Sequence, residues 1–172
     1  HDIMNTAMGS LSRNFYAKDI GSDIIRPNDN MLVINLTVER IDRGATSAHP
    51  DFMQFYNPGR IVENVIVYNA RVTDMDAQGL FGSDGEDIAL VNVLIERNDL
   101  NSYYSQFGGF NHLLLWHITG YRQTWQIREE NYDLINGANV VNSDFRNNIF
   151  PRFRHYNDNT VTELPNSTVT RN

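Results

Sequence analysis

The segment from His112 to Arg128 constrains the fold most strongly, because its apolar residues alternate with a period of two and then change phase. Before Gly120 the apolar residues at even positions are Leu114, Trp116 and Ile118, and after it the apolar residues at odd positions are Tyr121, Trp125 and Ile127. Such alternation is typical of a half-buried β-strand and does not fit a helix. A phase change requires a β-bulge in one strand or a tight corner between two strands. The segment therefore predicts an antiparallel sandwich or a strongly bent sheet.

Three earlier segments also predict strands. Residues 61–72 are rich in β-branched and aromatic side chains, which favour pleated structure. Residues 88–96 are almost continuously apolar, which indicates a strand buried on both faces. Residues 31–41 carry alternating apolar side chains, which predict one common core-facing side. These side chains are Leu32, Ile34, Leu36 and Val38.

Helical periodicity is confined to short stretches. Residues 2–18 present a one-face apolar stripe and predict an amphipathic helix. The stripe consists of Met4, Met8, Leu11 and Phe15. Residues 47–56 predict a short helix capped by Ser47, and Ser143 is placed to cap a further helical turn.

The predicted fold is therefore mainly β, an antiparallel β-sandwich or strongly bent sheet with an N-terminal amphipathic helix and one or two short helices. The alternative is an α+β fold with helices packed on one antiparallel sheet. We predict a helical arm over residues 1–20, a β-rich globular domain over 21–156, and a polar tail over 157–172.

Charge and composition argue against several function classes. The net charge is −7, which disfavours nucleic-acid binding because that binding needs clustered positive charge. The chain has no cysteine, so thiolate nucleophiles and cysteine-based zinc sites are excluded. No apolar run approaches the roughly 20 residues of a membrane-spanning helix. No cofactor-binding motif is present, and we expect no cofactor.

An acidic loop is the one candidate metal site. Its first six residues, 74–79, match the beginning of an EF-hand loop, but the twelfth position is Gly85 where a bidentate Glu is needed. An irregular calcium site is the alternative to a solvated acidic loop. Its carboxylates would be Asp74, Asp76, Asp84, Glu86 and Asp87.

A basic and aromatic stretch near the C-terminus predicts an interface. Arg and Tyr are enriched where proteins contact one another, although a plain edge strand has the same composition. Its members are Arg146, Phe150, Arg152, Phe153, Arg154 and Tyr156. Together with the N-terminal stripe, these residues are expected to contact neighbouring subunits.

The polar loop over residues 98–111 suggests a different use. Its aromatic side chains are suited to stacking on sugar rings. These side chains are Tyr103, Tyr104, Phe107 and Phe110. This alternative is an extracellular module that binds carbohydrate or protein, and a second alternative is a hydrolase that uses the acidic loop.

No reaction-specific motif is present, and we expect no enzymatic activity. A β-rich body with polar ends, few lysines and no cysteine resembles subunits of larger particles, such as phage tail, neck or capsid accessory proteins. The leading hypothesis is therefore a non-catalytic structural subunit, a homo- or hetero-oligomer located in a virion or outside the cell.

Overall fold

The chain forms a β-solenoid, in which successive coils stack their strands in parallel, as seen in a computed structural model of the whole sequence. The structure describes residues 4–5, 11–42, 50–55, 59–97, 105–122, 124–129, 140, 142–149, 152–157 and 160–164. These residues contain no helix, and so none that is long and apolar enough to cross a membrane.

Twelve strands are present in the described residues. They are β1 Met4–Asn5, β2 Leu11–Ile20, β3 Ile25–Arg26, β4 Leu32–Asp42, β5 Asp51–Phe55, β6 Val62–Asp76, β7 Gln78–Arg97, β8 Ser105–Tyr121, β9 Thr124–Glu129, β10 Asp144–Arg146, β11 Arg152–Asn157 and β12 Thr160–Leu164.

The strands lie along two lines that run up the solenoid. One line is β1, β3, β5, β7, β8, β9 and β11, and the other is β2, β4, β6, β7, β8 and β10. Strands β7 and β8 belong to both lines because each continues around the coil. Among the described strands, every pairing is parallel except that of β12 with β11. The mainly β content is thus confirmed, whereas the antiparallel sandwich is wrong.

The predicted helices are also wrong. Residues 11–20 pair in parallel with β4, and Asn14 has a φ of 55°, which a right-handed helix does not allow. Residues 51–55 form β5, whose Phe52 and Met53 are buried between β3 and β7. The turn predicted after Ser143 is β10. The helical spacing was misleading, because Leu11 faces outward and Phe15 faces the core, so the stripe does not share one side of the strand.

Single residues with positive φ bend the long strands into coils. Asn64, Asn69 and Asp74, five residues apart in β6, have φ values of 58°, 57° and 56°. Every such non-glycine residue that the structure describes is Asn, Asp, His or Arg. Asn, Asp and His adopt the left-handed conformation more readily than most residues do. We call these positions corners.

The corners stack into ladders along the solenoid. Asn35 donates from Nδ2 to Oδ1 of Asn14 over 2.8 Å, and Asn69 donates to Asn35 over 2.7 Å. Asn92 continues this first ladder by donating to Asn69 over 2.9 Å. A second ladder includes the bond from Asn64 to Asn30. The side-chain amides therefore join neighbouring coils where the strands bend.

Asn69 allows a direct test of the corner chemistry. We expect Asn69→Val to lower the free energy of unfolding by about 2 kcal/mol, because a β-branched residue is strained at this φ and loses the ladder bonds. Asn69→Gly, which relieves the backbone strain, should cost less than about 1 kcal/mol. Urea unfolding of both variants provides the measurement. Equal losses would show that corner conformation does not govern stability here.

The corners also explain the phase change in residues 112–128. Leu113 and Leu115 face the core before the corner at His117, and Ile118 and Gly120 face it afterwards. His117 has a φ of 56°. The bend is therefore at His117, and the sequence prediction of a phase change at Gly120 is wrong by about three positions.

Buried aromatic rings fill one end of the coil interior. Phe110 packs edge-to-face against Phe55 and Phe107, with centroid separations of 5.8 and 6.1 Å. Phe107 in turn contacts Trp125 at 6.2 Å. A Cβ at Gly85 would overlap a ring carbon of Phe110. The absence of a side chain at Gly85 therefore makes room for this ring.

Candidate interaction surface

An apolar surface lies on the outside of the solenoid, between the first and second ladders. It is formed by the outward-facing positions of β4, β6, β7 and β8, which the register aligns in two columns. The first column contains Leu32, Ile66, Ala89 and Leu114. The second column contains Ile34, Tyr68, Val91 and Trp116. We call these eight residues the flank face.

Alternation within each strand separates the flank face from the core. Val67 is fully buried, while Ile66 and Tyr68 on either side of it are 45% and 48% exposed. Trp116 is 42% exposed beside the buried Leu115. A sheet with one solvated face normally carries polar residues on that face. Here both sides of the sheet are apolar.

The dimensions of the flank face follow from β geometry. Strands lie about 4.8 Å apart, and residues rise about 3.3 Å along each strand. With the flanking strands β2 and β10, the surface has a footprint of roughly 24 by 16 Å, or about 400 Å². The flank face occupies the four central strands of this footprint, and exposed apolar patches commonly serve in binding.

Charged residues mark the two ends of the flank face. The register continues the first column to Leu11 in β2 and Asp144 in β10, and the second column to Arg13 and Arg146. Arg146 donates from Nε to Asp144 over 2.6 Å. This contact lowers the pKa of the Asp144 carboxyl. Both side chains remain largely exposed.

The next surface around the coil, beyond the first ladder, carries polar contacts. Tyr16 donates from its hydroxyl to Glu39 over 2.8 Å, and Lys18 lies 3.4 Å from the same carboxylate. The hydrogen bond from Tyr16 lowers the pKa of Glu39, and the same bond raises the pKa of Tyr16. These paired groups are already satisfied at the surface. The contrast singles out the flank face as the apolar side.

The most strongly perturbed carboxyl is Asp51, which is buried in a polar cluster. Its backbone N–H donates to Asp23 over 2.9 Å, and Gln54 donates to its side chain over 2.9 Å. Arg26 bonds Gln54 and lies 3.5 Å from Asp23. Burial, reinforced by the charge of Asp23, raises the pKa of Asp51 to about 8. At 1% exposure, Asp51 cannot touch a large substrate directly.

The proposed calcium carboxylates lie on different parts of the coil. Asp87 in β7 lies beside the corner Asn64 of β6. Asp74 lies two corners further along β6. Asp84 is a buried corner residue, whereas Asp76 is close to Arg97, at 3.9 Å. The described residues include no group of three or more ligands that could hold a metal ion. Asp87 instead bonds His112 in the second ladder over 3.0 Å.

The predicted interface residues are spread over several parts of the chain. Leu11 and Arg146 are exposed at opposite ends of the flank face, and Phe15 packs partly against the core. Met8 and Phe150 lie outside the described residues. The structure gives only the backbone for the remaining members, which are Met4 in β1 and Arg152, Phe153, Arg154 and Tyr156 in β11.

The described part of the predicted sugar-stacking loop, residues 105–111, belongs to the core strand β8. Phe107 and Phe110 are 1% and 0% exposed in β8, so their rings are packed in the interior and are not available to a ligand. Tyr103 and Tyr104 lie outside the described residues. The sequence interpretation of Phe107 and Phe110 as ligand contacts is therefore corrected.

Sequence reasoning missed the aromatic members of the flank face. Trp116 and Tyr68 lie in segments that the sequence predicts as strands, but the sequence pattern does not distinguish them as outward-facing residues. Ala89 and Val91 were likewise predicted to lie in a strand buried on both faces, but they face outward and are only partly covered. The usable signal was the corner residue after each pair, because it resets which positions face inward.

Comparison with protein-family models, with curated proteins and with solved structures found no match for this chain.

Proposed function

We propose that the protein is a non-catalytic structural subunit of a larger multi-protein particle and that the flank face is its contact surface. The observation that carries this proposal is the continuous apolar surface on the outside of a rigid parallel sheet. Interfaces combine an apolar centre with a polar rim. The flank face has this arrangement, because the two ladders border its aliphatic and aromatic side chains.

The N-terminal end of the solenoid supports the same function. Among the described strands, β2 pairs with β4 alone, so no described strand lies along its other edge. Such an edge is suited to pair with a strand of a neighbouring subunit. Neighbour contacts through the termini, as predicted from the sequence, therefore remain part of the proposal.

We expect Tyr68→Lys combined with Trp116→Lys to abolish self-association of the full chain. Charged side chains at the centre of an apolar interface remain unpaired and desolvated when subunits meet. Light scattering at increasing protein concentration gives the molar mass. The parent mass should rise with concentration, while the double variant stays monomeric.

Tyr121→Lys is the matched control, because Tyr121 is 49% exposed but lies beyond the corner at His117, outside the flank face. This variant should associate as the parent does. A parent chain that stays monomeric at every concentration, or a double variant that associates normally, would overturn the proposal.

A second candidate function is binding to an extended carbohydrate. Tyr68 and Trp116 lie in one column with Val91 between them, so their rings are two strand spacings, or about 9.6 Å, apart. Exposed rings aligned in this way can stack on alternate sugars of a polymer. Saturable quenching of Trp116 fluorescence by soluble oligosaccharides, lost in Tyr68→Lys, would favour this candidate over assembly.

A further inference from the structure

We propose that the partner of the flank face is a second copy of this chain, packed side by side with its solenoid axis parallel to that of the first. This inference rests on the proposed function and adds both the partner and its orientation. The two copies are related by a two-fold axis that runs along the solenoids. Such symmetry uses the same patch on both subunits.

The register determines which residues meet in this arrangement. A two-fold axis along the solenoid places each strand opposite the same strand of the other copy, running in the reverse direction. The first column of one copy therefore faces the second column of the other. Asp144 then lies opposite Arg146 of the second copy, and the symmetry repeats this ion pair.

The apolar residues are complementary in the same register. Ile66 faces Tyr68 of the second copy, and Leu114 faces Trp116, so each ring packs on an aliphatic side chain. The smallest member, Ala89, lies opposite Val91. Aliphatic side chains against aromatic rings are typical of well-packed interface centres.

Charge disfavours the other face-to-face arrangement. A two-fold axis parallel to the strands would make the solenoids antiparallel and place β10 opposite β2. Each column would then face itself, and Arg146 would meet Arg13 of the second copy. Like charges in contact oppose association. The parallel arrangement replaces that repulsion with two opposite-charge pairs.

The area of the flank face sets the strength of this pairing. The flank face and its flanking strands β2 and β10 have a footprint of about 400 Å² per copy. This is roughly half of the 800 Å² that each partner buries in a standard interface. The pair should therefore form reversibly as concentration rises. Because the contact uses the same patch on both copies, it closes into a dimer and does not extend into an open filament.

Two charge reversals at exposed positions test the orientation. In Arg146→Asp, positions 144 and 146 in β10 are both acidic, and in Asp144→Arg they are both basic. In the parallel arrangement, each variant alone should self-associate about tenfold more weakly than the parent. An equimolar mixture should associate again, because each copy then faces opposite charges. Sedimentation velocity at low salt measures all three samples, and high salt should remove the recovery.

Each outcome has a distinct meaning. If Arg146→Asp alone strengthens self-association, the introduced carboxylate is meeting Arg13, and the parallel arrangement is overturned while the assembly function stands. Equal association of the separate variants and their mixture also overturns the orientation. A parent chain that never associates overturns both the orientation and the proposed function.

Discussion

Phe110→Ala is expected to lower the free energy of unfolding by about 3–5 kcal/mol. The ring is fully buried, and it joins Phe55 of β5 to Phe107 of β8 through edge-to-face contacts. Removing it leaves a cavity that the rigid parallel strands cannot close. Urea unfolding followed by circular dichroism measures the loss.

Tyr121→Ala is the control for the loss of an aromatic ring, because Tyr121 is half exposed and packs on Arg122, whose guanidinium lies 5.1 Å from the ring centroid. Its cost should stay below about 1 kcal/mol. If the two variants lose equal stability, the aromatic cluster around Phe110 is not the centre of the core.

Asp51→Asn is expected to stabilise the chain at alkaline pH, by an amount on the order of a few kcal/mol at pH 9. The pKa of Asp51 rises from 3.8 when exposed to about 8 in the folded chain, because burial disfavours the charged carboxylate. The folded state therefore binds one more proton than the unfolded state between these two values. Stability from this group is complete below about pH 4 and falls as the pH rises to about 8.

Asparagine mimics the protonated carboxyl and can accept the hydrogen bond from Gln54, so at about pH 4 the variant should match the parent within about 1 kcal/mol. Thermal melting across this pH range gives the comparison. Asp144→Asn should produce no alkaline gain, because the hydrogen bond from Arg146 lowers the pKa of Asp144 and so favours its charged form. If the stability of the parent rises from about pH 5 to about pH 8 in step with that of the variant, the pKa of Asp51 is not raised by burial.

The strands themselves could be predicted from local sequence. Residues 31–41, 61–72 and 88–96 were predicted as strands from alternation and β-branched content, and β4, β6 and β7 include most of them. These signals are local, since they depend on neighbouring residues. They report that a segment is extended but do not say which strand it pairs with or in which direction.

The sequence could not predict which side chains point into the core, because each corner changes the side to which the following residues point. Leu32, Ile34, Leu36 and Val38 share one side of an uninterrupted strand. Asn35 bends β4, so Leu36 and Val38 face the core while Leu32 and Ile34 face outward. Asparagine is common in turns and caps, and its presence in the sequence does not distinguish those sites from a solenoid corner.

The repeat was hidden by uneven coil lengths. Successive members of the first ladder, from Asn14 to Asn92, are 21, 34 and 23 residues apart. Solenoids are usually detected by a fixed sequence period. Insertions between strands remove that period while leaving the register of the corners intact. The flank face, which depends on that register, was therefore beyond sequence reasoning.

Accessibility of Trp116 to a quencher tests the assembly function most directly. Trp125 is fully buried and Trp116 is 42% exposed, so acrylamide quenching of the unmodified chain reports mainly on the flank face. We predict that quenching decreases as protein concentration rises, and that it stays high at every concentration in Tyr68→Lys. Quenching that is independent of concentration in the parent chain would contradict the account.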